Sequence, residues 1–271
     1  MIDNVGKFIT HNSKIEEAIS FLGLKSEEMD SKLIYEVIRV IDGVPLFMQD
    51  HFDRLKSSFE SVNKILMLPM DDFSHGIYDL IGVNKNHNCN VMLEILADDV
   101  QEWDLYVRES HYPTAKTYEI GIKVGTIELE RENPEAKVWN SEYKNIVNQK
   151  MKEDNYYEVL LVNRDGFITE GSRSNVFFIK GNKVYTSPLK YVLRGITSVY
   201  AVKCCEKEGI EVVNELVSNT EISTIDAAFI TGTSVNILPI ASINNIVLRS
   251  TQNHVIKRIM KSFESLISEQ C

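Results

Sequence analysis

The chain has 271 residues, of which 44% are hydrophobic and 25% are charged, and its formal net charge is −10. This composition suits one large globular domain or two modest ones, and the acidic balance argues against nucleic-acid binding. No apolar run approaches the length of a membrane span, the first residues lack a signal-peptide pattern, and the four cysteines show no metal-ligand spacing. We therefore expect no bound metal, no membrane partner, and a cytoplasmic protein with reduced thiols.

The first 110 residues combine strand and helix patterns. Ile34–Ile41 is β-branched with alternating polarity, and it ends at Asp42-Gly43, a strong hairpin turn. Apolar residues at helical spacing predict a helix over 50–66. The other predicted elements are one or two polar helices over 13–30, a return strand over 44–47, a short helix over 71–81, and strands over 91–96 and 103–109. An α+β region with an antiparallel sheet is predicted.

The remainder of the chain repeats this mixture after an expected linker at 111–117. The predicted strands are 118–125, 157–162, 167–169, 174–179, 183–186 and 227–231. The predicted helices are 142–153, 197–208, 221–226 and 254–269, and Gly209 is expected to close the second of these. The pattern predicts two α+β domains, over residues 1–115 and 116–271.

Two residues near the middle of the chain, a lysine and a glutamate, have side chains that could take part in catalysis. Lys137 precedes Val138 and Trp139, so its amine is expected to be less solvated than most, and desolvation favours a nucleophilic amine. Glu170 follows a predicted strand and turn. Pyridoxal phosphate (PLP) requires two groups from a protein: a lysine amine that forms a Schiff base with its aldehyde, and a carboxylate that pairs with its ring nitrogen. The alternatives are a lysine that reaches solvent, a carboxylate that caps a turn, or Lys144 as the reactive lysine.

Three further segments contain groups that suit an anion. Arg54 begins a predicted helix and offers a bidentate donor. Gly195-Ile196-Thr197 precedes a helix, where free N–H groups attract anions. Thr231-Gly232-Thr233 follows an apolar strand, and the glycine there permits close approach of a ligand. Each has a structural alternative: a solvated arginine, a threonine N-cap and a plain turn.

Taken in chain order, these segments resemble the class IV (fold type IV) PLP-dependent enzymes. That family includes branched-chain aminotransferases, D-amino-acid aminotransferases and aminodeoxychorismate lyase. The resemblance spans nearly the whole chain, and its motifs are His51-Phe52-Asp53-Arg54-Leu55, Lys137-Val138-Trp139-Asn140, Thr169-Glu170-Gly171-Ser172-Arg173-Ser174-Asn175, Leu193-Arg194-Gly195-Ile196-Thr197 and Thr231-Gly232-Thr233.

The resemblance implies a role for each of these groups. Lys137 matches the lysine that binds PLP, and Glu170 matches the partner of the pyridine nitrogen. The groups that match the phosphate site are Arg54, Ile196, Thr197 and Thr233. Tyr35-Glu36 matches a strand segment near the substrate. The implied fold is two α+β domains with the cofactor in the interdomain cleft, in a homodimer.

The substrate-side segments depart from the family pattern. The family often has a Gly-Asp-Gly turn where this chain has Met29–Leu33, and an arginine-containing segment where this chain has Val91–Asp98. Branched-chain enzymes have an aromatic residue where this chain has Ser141. The resemblance implies transamination between an amino acid, L or D, and a 2-keto acid. The alternatives are a lyase that eliminates pyruvate, as in aminodeoxychorismate lyase, and a non-catalytic relative that kept the fold.

Overall fold

The computed structural model describes residues 5–19, 32–98 and 101–271. These residues form two compact units. The first contains the described residues up to His111, together with Ala136–Trp139 and Gln270–Cys271, and the second contains Tyr112–Glu135 and Asn140–Glu269. The sequence predicts that Lys137 lies in the domain 116–271, whereas the structure places its segment in the first unit. The cause is a backbone pairing that no local pattern reveals.

The first unit is built on an antiparallel sheet, as predicted. Its strands are β1 (Val5–His11), β2 (Lys14–Glu17), β3 (Leu33–Ile41), β4 (Val44–Pro45), β5 (Cys89–Leu96) and β6 (Trp103–Arg108). They lie in the order β2-β1-β6-β5-β3-β4, and every neighbouring pair is antiparallel. β3 is thus paired along its whole length with β5.

The helix predicted over 13–30 is wrong at its start. Asn12 and Ser13 both have positive φ (44° and 67°), which gives a tight hairpin turn into β2. All four residues of β2 are exposed, so the polar composition of this strand resembles that of a solvated helix. From residue 20 onward, that prediction lies outside the described residues.

Two helices cover the sheet of the first unit: α1 (Met48–Ser61) and α2 (Met70–Asn84). α1 begins earlier than predicted, because the return strand β4 ends at Pro45, and it ends earlier, because Asn63 has a positive φ of 58°. The helices and β3 bury a common apolar core whose largest members include Ile34, Ile38, Leu55, Phe59, Phe73 and Ile77. Burial of such side chains is the main stabilising term of the unit.

The second unit contains a mixed ten-stranded sheet. Its strands are β7 (Ile122–Glu128), β8 (Glu158–Val162), β9 (Phe167–Gly171), β10 (Asn175–Lys180), β11 (Lys183–Thr186), β12 (Val212–Asn214), β13 (Val217–Ser218), β14 (Ala227–Gly232), β15 (Asn236–Ile243) and β16 (Ile246–Val247). The order is β12-β11-β10-β14-β15-β7-β8-β9-β13, with β16 beside β15. β7 is parallel to β8 and β15, and β11 is parallel to β12.

The helices of the second unit are α3 (Ala115–Ile120), α4 (Ser141–Asp154), α5 (Ile196–Lys207) and α6 (His254–Ser268), with 3-10 turns at Leu189–Tyr191, Asn219–Thr224 and Ser250–Gln252. The strand predicted over 118–125 is therefore wrong at its start. Thr114 caps α3 through a capping box, and Gly121 (φ 73°) then turns the chain into β7. The predicted α+β class is confirmed, and in the described part of the chain no helix has the length and apolar character needed to cross a membrane.

Candidate active site

The segment Ala136–Trp139 pairs with β3 in antiparallel orientation. The Lys137 carbonyl accepts a hydrogen bond from the Tyr35 N–H at 3.1 Å. The Lys137 N–H donates to Ser58 Oγ of α1 at 3.2 Å. Both backbone polar groups of Lys137 are therefore fixed to the first unit, and its side chain departs from a well-defined point.

The Lys137 side chain lies against an aromatic pair. Its Nζ is 4.5 Å from the centroid of the Tyr35 ring. That ring meets Trp139 edge to face, with centroids 5.6 Å apart and planes at 74°. An ammonium over an aromatic face is stabilised electrostatically, so the lysine has a partner other than bulk water. The competing Lys144 lies on α4 of the second unit.

Arg54 is buried rather than solvated, with an exposed fraction of 8%. Its Nε donates to Glu36 Oε1 at 2.8 Å and its Nη2 donates to Glu36 Oε2 at 2.6 Å. His51 Nδ1 lies 2.8 Å from Glu36 Oε2. A bidentate carboxylate of this kind fixes the plane of the guanidinium group. The solvated alternative for Arg54 is wrong.

The protonation states of this triad follow from its geometry. Burial alone would raise the pKa of Glu36, but the charge and hydrogen bonds of Arg54, with those of His51, outweigh it and lower that pKa to about 2. Burial lowers the pKa of His51, although Glu36 opposes the shift. Since an ionised Glu36 can only accept, His51 Nδ1 carries the proton of a neutral ring.

Glu170 lies in β9 and is 3% exposed, so it is not a loop carboxylate. Its Oε2 accepts a hydrogen bond from the Leu193 N–H at 3.1 Å. Its Oε1 lies 3.2 Å from Arg131 Nη1. The guanidinium of Arg131 also lies 6.0 Å from the centroid of the Tyr143 ring. A buried carboxylate with a positive partner and an N–H donor is favoured in its ionised form.

A second buried carboxylate shapes the turn that follows Glu170. Glu158 Oε1 accepts from Ser172 Oγ at 2.5 Å, and its Oε2 accepts from Ser174 Oγ at 2.9 Å. A Cβ at Gly171, the last residue of β9, would overlap Ser174 Oγ, so a larger residue would have to displace this hydroxyl. The turn that follows β9 is therefore held by the hydrogen bonds of Ser172 and Ser174 to Glu158.

The predicted anion segment at 195–197 forms the start of α5. Gly195 is the N-cap residue and provides no side-chain cap, so the alternative of a threonine N-cap is wrong. Ile196 and Thr197 occupy the first turn, where backbone N–H groups have no partner within the helix. The Thr197 side chain is 7% exposed.

Thr231 and Thr233 flank the glycine that ends β14. Thr231 is 1% exposed, and its Oγ1 has no hydrogen-bond partner among the described residues. Across the sheet, Thr231 pairs with Asn175, whose side chain reaches the backbone that precedes α5. Buried hydroxyls are normally satisfied. An unsatisfied hydroxyl on this face, beside a helix start, fits a site for phosphate oxygens.

The predicted site residues fall into two groups. Tyr35, Arg54 and Lys137 belong to the first unit, and Glu170, Ile196, Thr197 and Thr233 belong to the second. The sequence predicts no specific role for His51, Arg131, Glu158 or Asn175, and it places Glu36 only in the segment near the substrate. Two of these had a visible signal, because Glu36 falls on the apolar face of β3 and His51 stands three residues before Arg54 on one face of α1.

The sequence profile of the family Amino-transferase class IV matches residues 33–243, which is more than half of the chain. The chain belongs to the class IV aminotransferase family. The predicted resemblance is thereby confirmed, and PLP is the cofactor of this family.

Two relatives show how the family varies around this sequence. The chain is 29% identical, over 86% of each chain, to a Methanocaldococcus jannaschii protein provisionally named as a branched-chain-amino-acid aminotransferase. It is 27% identical, over 78% of each, to a D-alanine aminotransferase of Bacillus licheniformis.

A solved structure shows that the fold is shared. The branched-chain amino acid aminotransferase of Thermobaculum terrenum, in its PLP form, superposes with a TM-score of 0.86 at 20% identity, over 99% of this chain and 96% of that one. The predicted type IV fold is confirmed by this likeness.

Proposed function

We propose that this chain is a PLP-dependent aminotransferase in which Lys137 binds the cofactor and Glu170 pairs with its ring nitrogen. Membership of the family gives the reaction class, transfer of an amino group between an amino acid and a 2-keto acid. The observation that carries the assignment of residues is Glu170, a carboxylate 3% exposed that is paired with Arg131 and with a backbone N–H. Burial of a charged carboxylate costs free energy, and the binding of a cofactor through this group would account for that cost.

PLP, when bound, supplies an aldehyde that combines with an amine and a ring that withdraws electrons from the substrate Cα. The Nζ of Lys137 is the proposed general base, which removes the Cα proton and then returns it. The fixed backbone of Lys137 limits the positions that Nζ can reach, and the Tyr35 ring supports its charged form. Because Tyr35 contacts this lysine, we propose that Tyr35 lies close to the substrate.

Glu170 is proposed to hold a proton on the pyridine nitrogen. Because Arg131 favours the carboxylate form of Glu170, the shared proton resides on the ring nitrogen rather than on Oε1 or Oε2. Glu170 would thereby keep the proton on that nitrogen, so that a bound ring could accept the electrons released when the Cα proton leaves.

The phosphate is proposed to lie against Arg54, the first turn of α5 and Thr233. The N–H groups of Ile196 and Thr197 and the hydroxyl of Thr197 suit its oxygens. Glu36 fixes the orientation of the Arg54 guanidinium through two hydrogen bonds, and neutral His51 adds no positive charge.

The amino donor, the homodimer and the cytoplasmic location are finer proposals. The named relatives differ in donor, since one name specifies branched-chain amino acids and the other D-alanine. The lyase alternative uses the same lysine and cofactor, and we rank it below transamination because the family profile and both named relatives are aminotransferases.

The test is a visible absorbance spectrum of the purified protein, repeated with L- and D-amino acids. We expect a band from lysine-bound PLP that disappears with the amino acids that serve as donors. Loss of the band with release of a keto acid, and its recovery with a second keto acid, would support transamination. Formation of pyruvate without an amino acceptor would indicate the lyase. A protein that shows no band after incubation with PLP would refute the proposal.

A further inference from the structure

The side chains of Asn175 and Glu170 form hydrogen bonds with the two backbone polar groups of one residue, Leu193. Glu170 Oε2 accepts from the Leu193 N–H at 3.1 Å, and Asn175 Nδ2 donates to the Leu193 carbonyl at 2.8 Å. Asn175 is 7% exposed and begins β10, whereas Glu170 lies in β9. The backbone position of Leu193 is therefore fixed by two buried side chains from successive strands.

The same asparagine also lies against the residue that begins α5. A Cβ at Gly195 would overlap Asn175 Oδ1, although the φ of Gly195 (−66°) is one that any residue adopts. The backbone conformation would therefore permit a larger residue at this position, but its Cβ would have to displace the side chain of Asn175. The amide of Asn175 thus contacts residues on both sides of Arg194, immediately before the first turn of α5.

We propose that Asn175 is a positioning residue that sets the distance between the Glu170 carboxylate and the start of α5. The inference rests on the proposed function, in which Glu170 meets the ring nitrogen and the start of α5 meets the phosphate. PLP joins its ring nitrogen to its phosphate through a planar ring and a short methylene ester, which limits the distance between the two ends. Both protein groups must therefore be correctly placed at the same time for tight binding. A ligand that contacts only the start of α5, such as inorganic phosphate, does not depend on the distance between the two groups.

Removal of the amide leaves the Leu193 carbonyl without its buried donor, and the backbone at 193–195 is free to shift. The free variant can relax at 193–195 to relieve this unsatisfied carbonyl, and PLP binding then has to restore the original backbone position, which should lower the binding constant roughly 10-fold. We expect Asn175→Ala to weaken PLP binding by about that factor and to leave inorganic phosphate binding within about 3-fold, because phosphate alone uses only the helix end.

The experiment titrates the full chain, freed of cofactor, with PLP by absorbance, and then measures inorganic phosphate by competition. The matched control is Asn163→Ala. Asn163 is also 7% exposed and lies in the second unit, but its Oδ1 accepts only from N–H groups of its own turn, at Asp165 and Phe167. The control is expected to lower the free energy of unfolding without changing the ratio of the two affinities.

Gly195→Ala provides a second variant in case Asn175→Ala does not fold. It displaces the asparagine instead of deleting it, so it should change the affinity ratio in the same direction. The double variant should bind PLP no more weakly than Asn175→Ala alone, since both changes remove the same contact. Losses that multiply would show that the two residues act independently and would overturn the inference.

An affinity ratio for Asn175→Ala equal to that of the wild type or of the Asn163→Ala control would also overturn the inference, while the proposed function would stand. Failure of the wild-type protein to bind PLP would overturn the proposed function and the inference with it. The two failures are distinguished by the wild-type titration alone.

Discussion

Replacement of Glu36 by glutamine should destabilise the first unit in a way that depends on pH. Glu36 is completely buried, and its pKa falls from 4.5 to about 2 through its contacts with Arg54 and His51. At about 1.4 kcal/mol for each pKa unit, the ionised form contributes about 3 kcal/mol to the free energy of unfolding. The Glu36→Gln protein should lack this contribution at neutral pH, and its glutamine leaves the charge of Arg54 uncompensated.

The sign of the pH dependence follows from the lowered pKa. The contribution of Glu36 is complete above about pH 4.5 and is lost as the pH falls toward about 2, because the unfolded chain takes up the proton first. By about pH 3, the wild-type protein should have lost about 2 kcal/mol of the contribution of Glu36 to the free energy of unfolding. The lowered pKa of His51 acts in the same direction below about pH 6.5. Because Glu36 opposes that lowering, its replacement changes the contribution of His51 as well, so the comparison is made between proteins that both carry His51→Gln.

The assay is urea unfolding followed by tryptophan fluorescence. Both tryptophans, Trp103 and Trp139, belong to the first unit, so the signal reports the unit that contains Glu36. The matched control is Glu60→Gln, which makes the same chemical change at an exposed position of α1. It should lie within about 0.5 kcal/mol of the wild type at every pH.

The informative quantity is the difference at each pH between the proteins with and without Glu36→Gln, both of which carry His51→Gln. It should be about 3 kcal/mol near neutral pH and about 1 kcal/mol near pH 3. A difference that stays constant over this range would mean that Glu36 does not titrate with a lowered pKa, and the electrostatic account of the triad would be wrong.

Three further predictions concern the proposed cofactor site. Lys137→Ala should lower turnover at least about 100-fold while Lys144→Ala retains it; the reverse result would assign the reactive lysine to α4. Glu170→Ala should still bind PLP but slow removal of the Cα proton, measured in single turnovers with a deuterated amino acid, and an unchanged rate would exclude Glu170 from the mechanism. Thr197→Val should weaken PLP about 10-fold while leaving pyridoxal, which lacks the phosphate, unaffected; equal losses for both ligands would contradict a contact between Thr197 and the phosphate.

Local patterns predicted most of the helices and many of the strands. Apolar spacing placed α1, α2, α4, α5 and α6 to within a few residues, since each helix has a continuous apolar face. No strand is predicted at β1, β12, β13, β15 or β16. Two further errors lie where polar composition is ambiguous: β2 is exposed on both faces, and α3 has no buried residue. Neither element carries a periodic signal.

The motifs of the site were visible, but their surroundings were not. Lys137 and Glu170 stand in segments that resemble the family, so their candidacy follows from the order of motifs. The partners Arg131 and Asn175 act over long separations, 39 residues to Glu170 and 18 to Leu193. No local rule pairs such residues, because the contact exists only once the sheet has assembled.

The short pairing of Ala136–Trp139 with β3 has a consequence for biosynthesis. Tyr35 emerges from the ribosome about one hundred residues before Lys137, and the contact between Phe47 N–H and Gln270 Oε1 can form only after residue 270 has been synthesised. The first unit is thus translated early but completed late. A nascent chain that stops before residue 136 leaves one edge of β3 without this partner, and exposed strand edges invite aggregation. The edge closes only when the proposed cofactor-binding lysine has been synthesised.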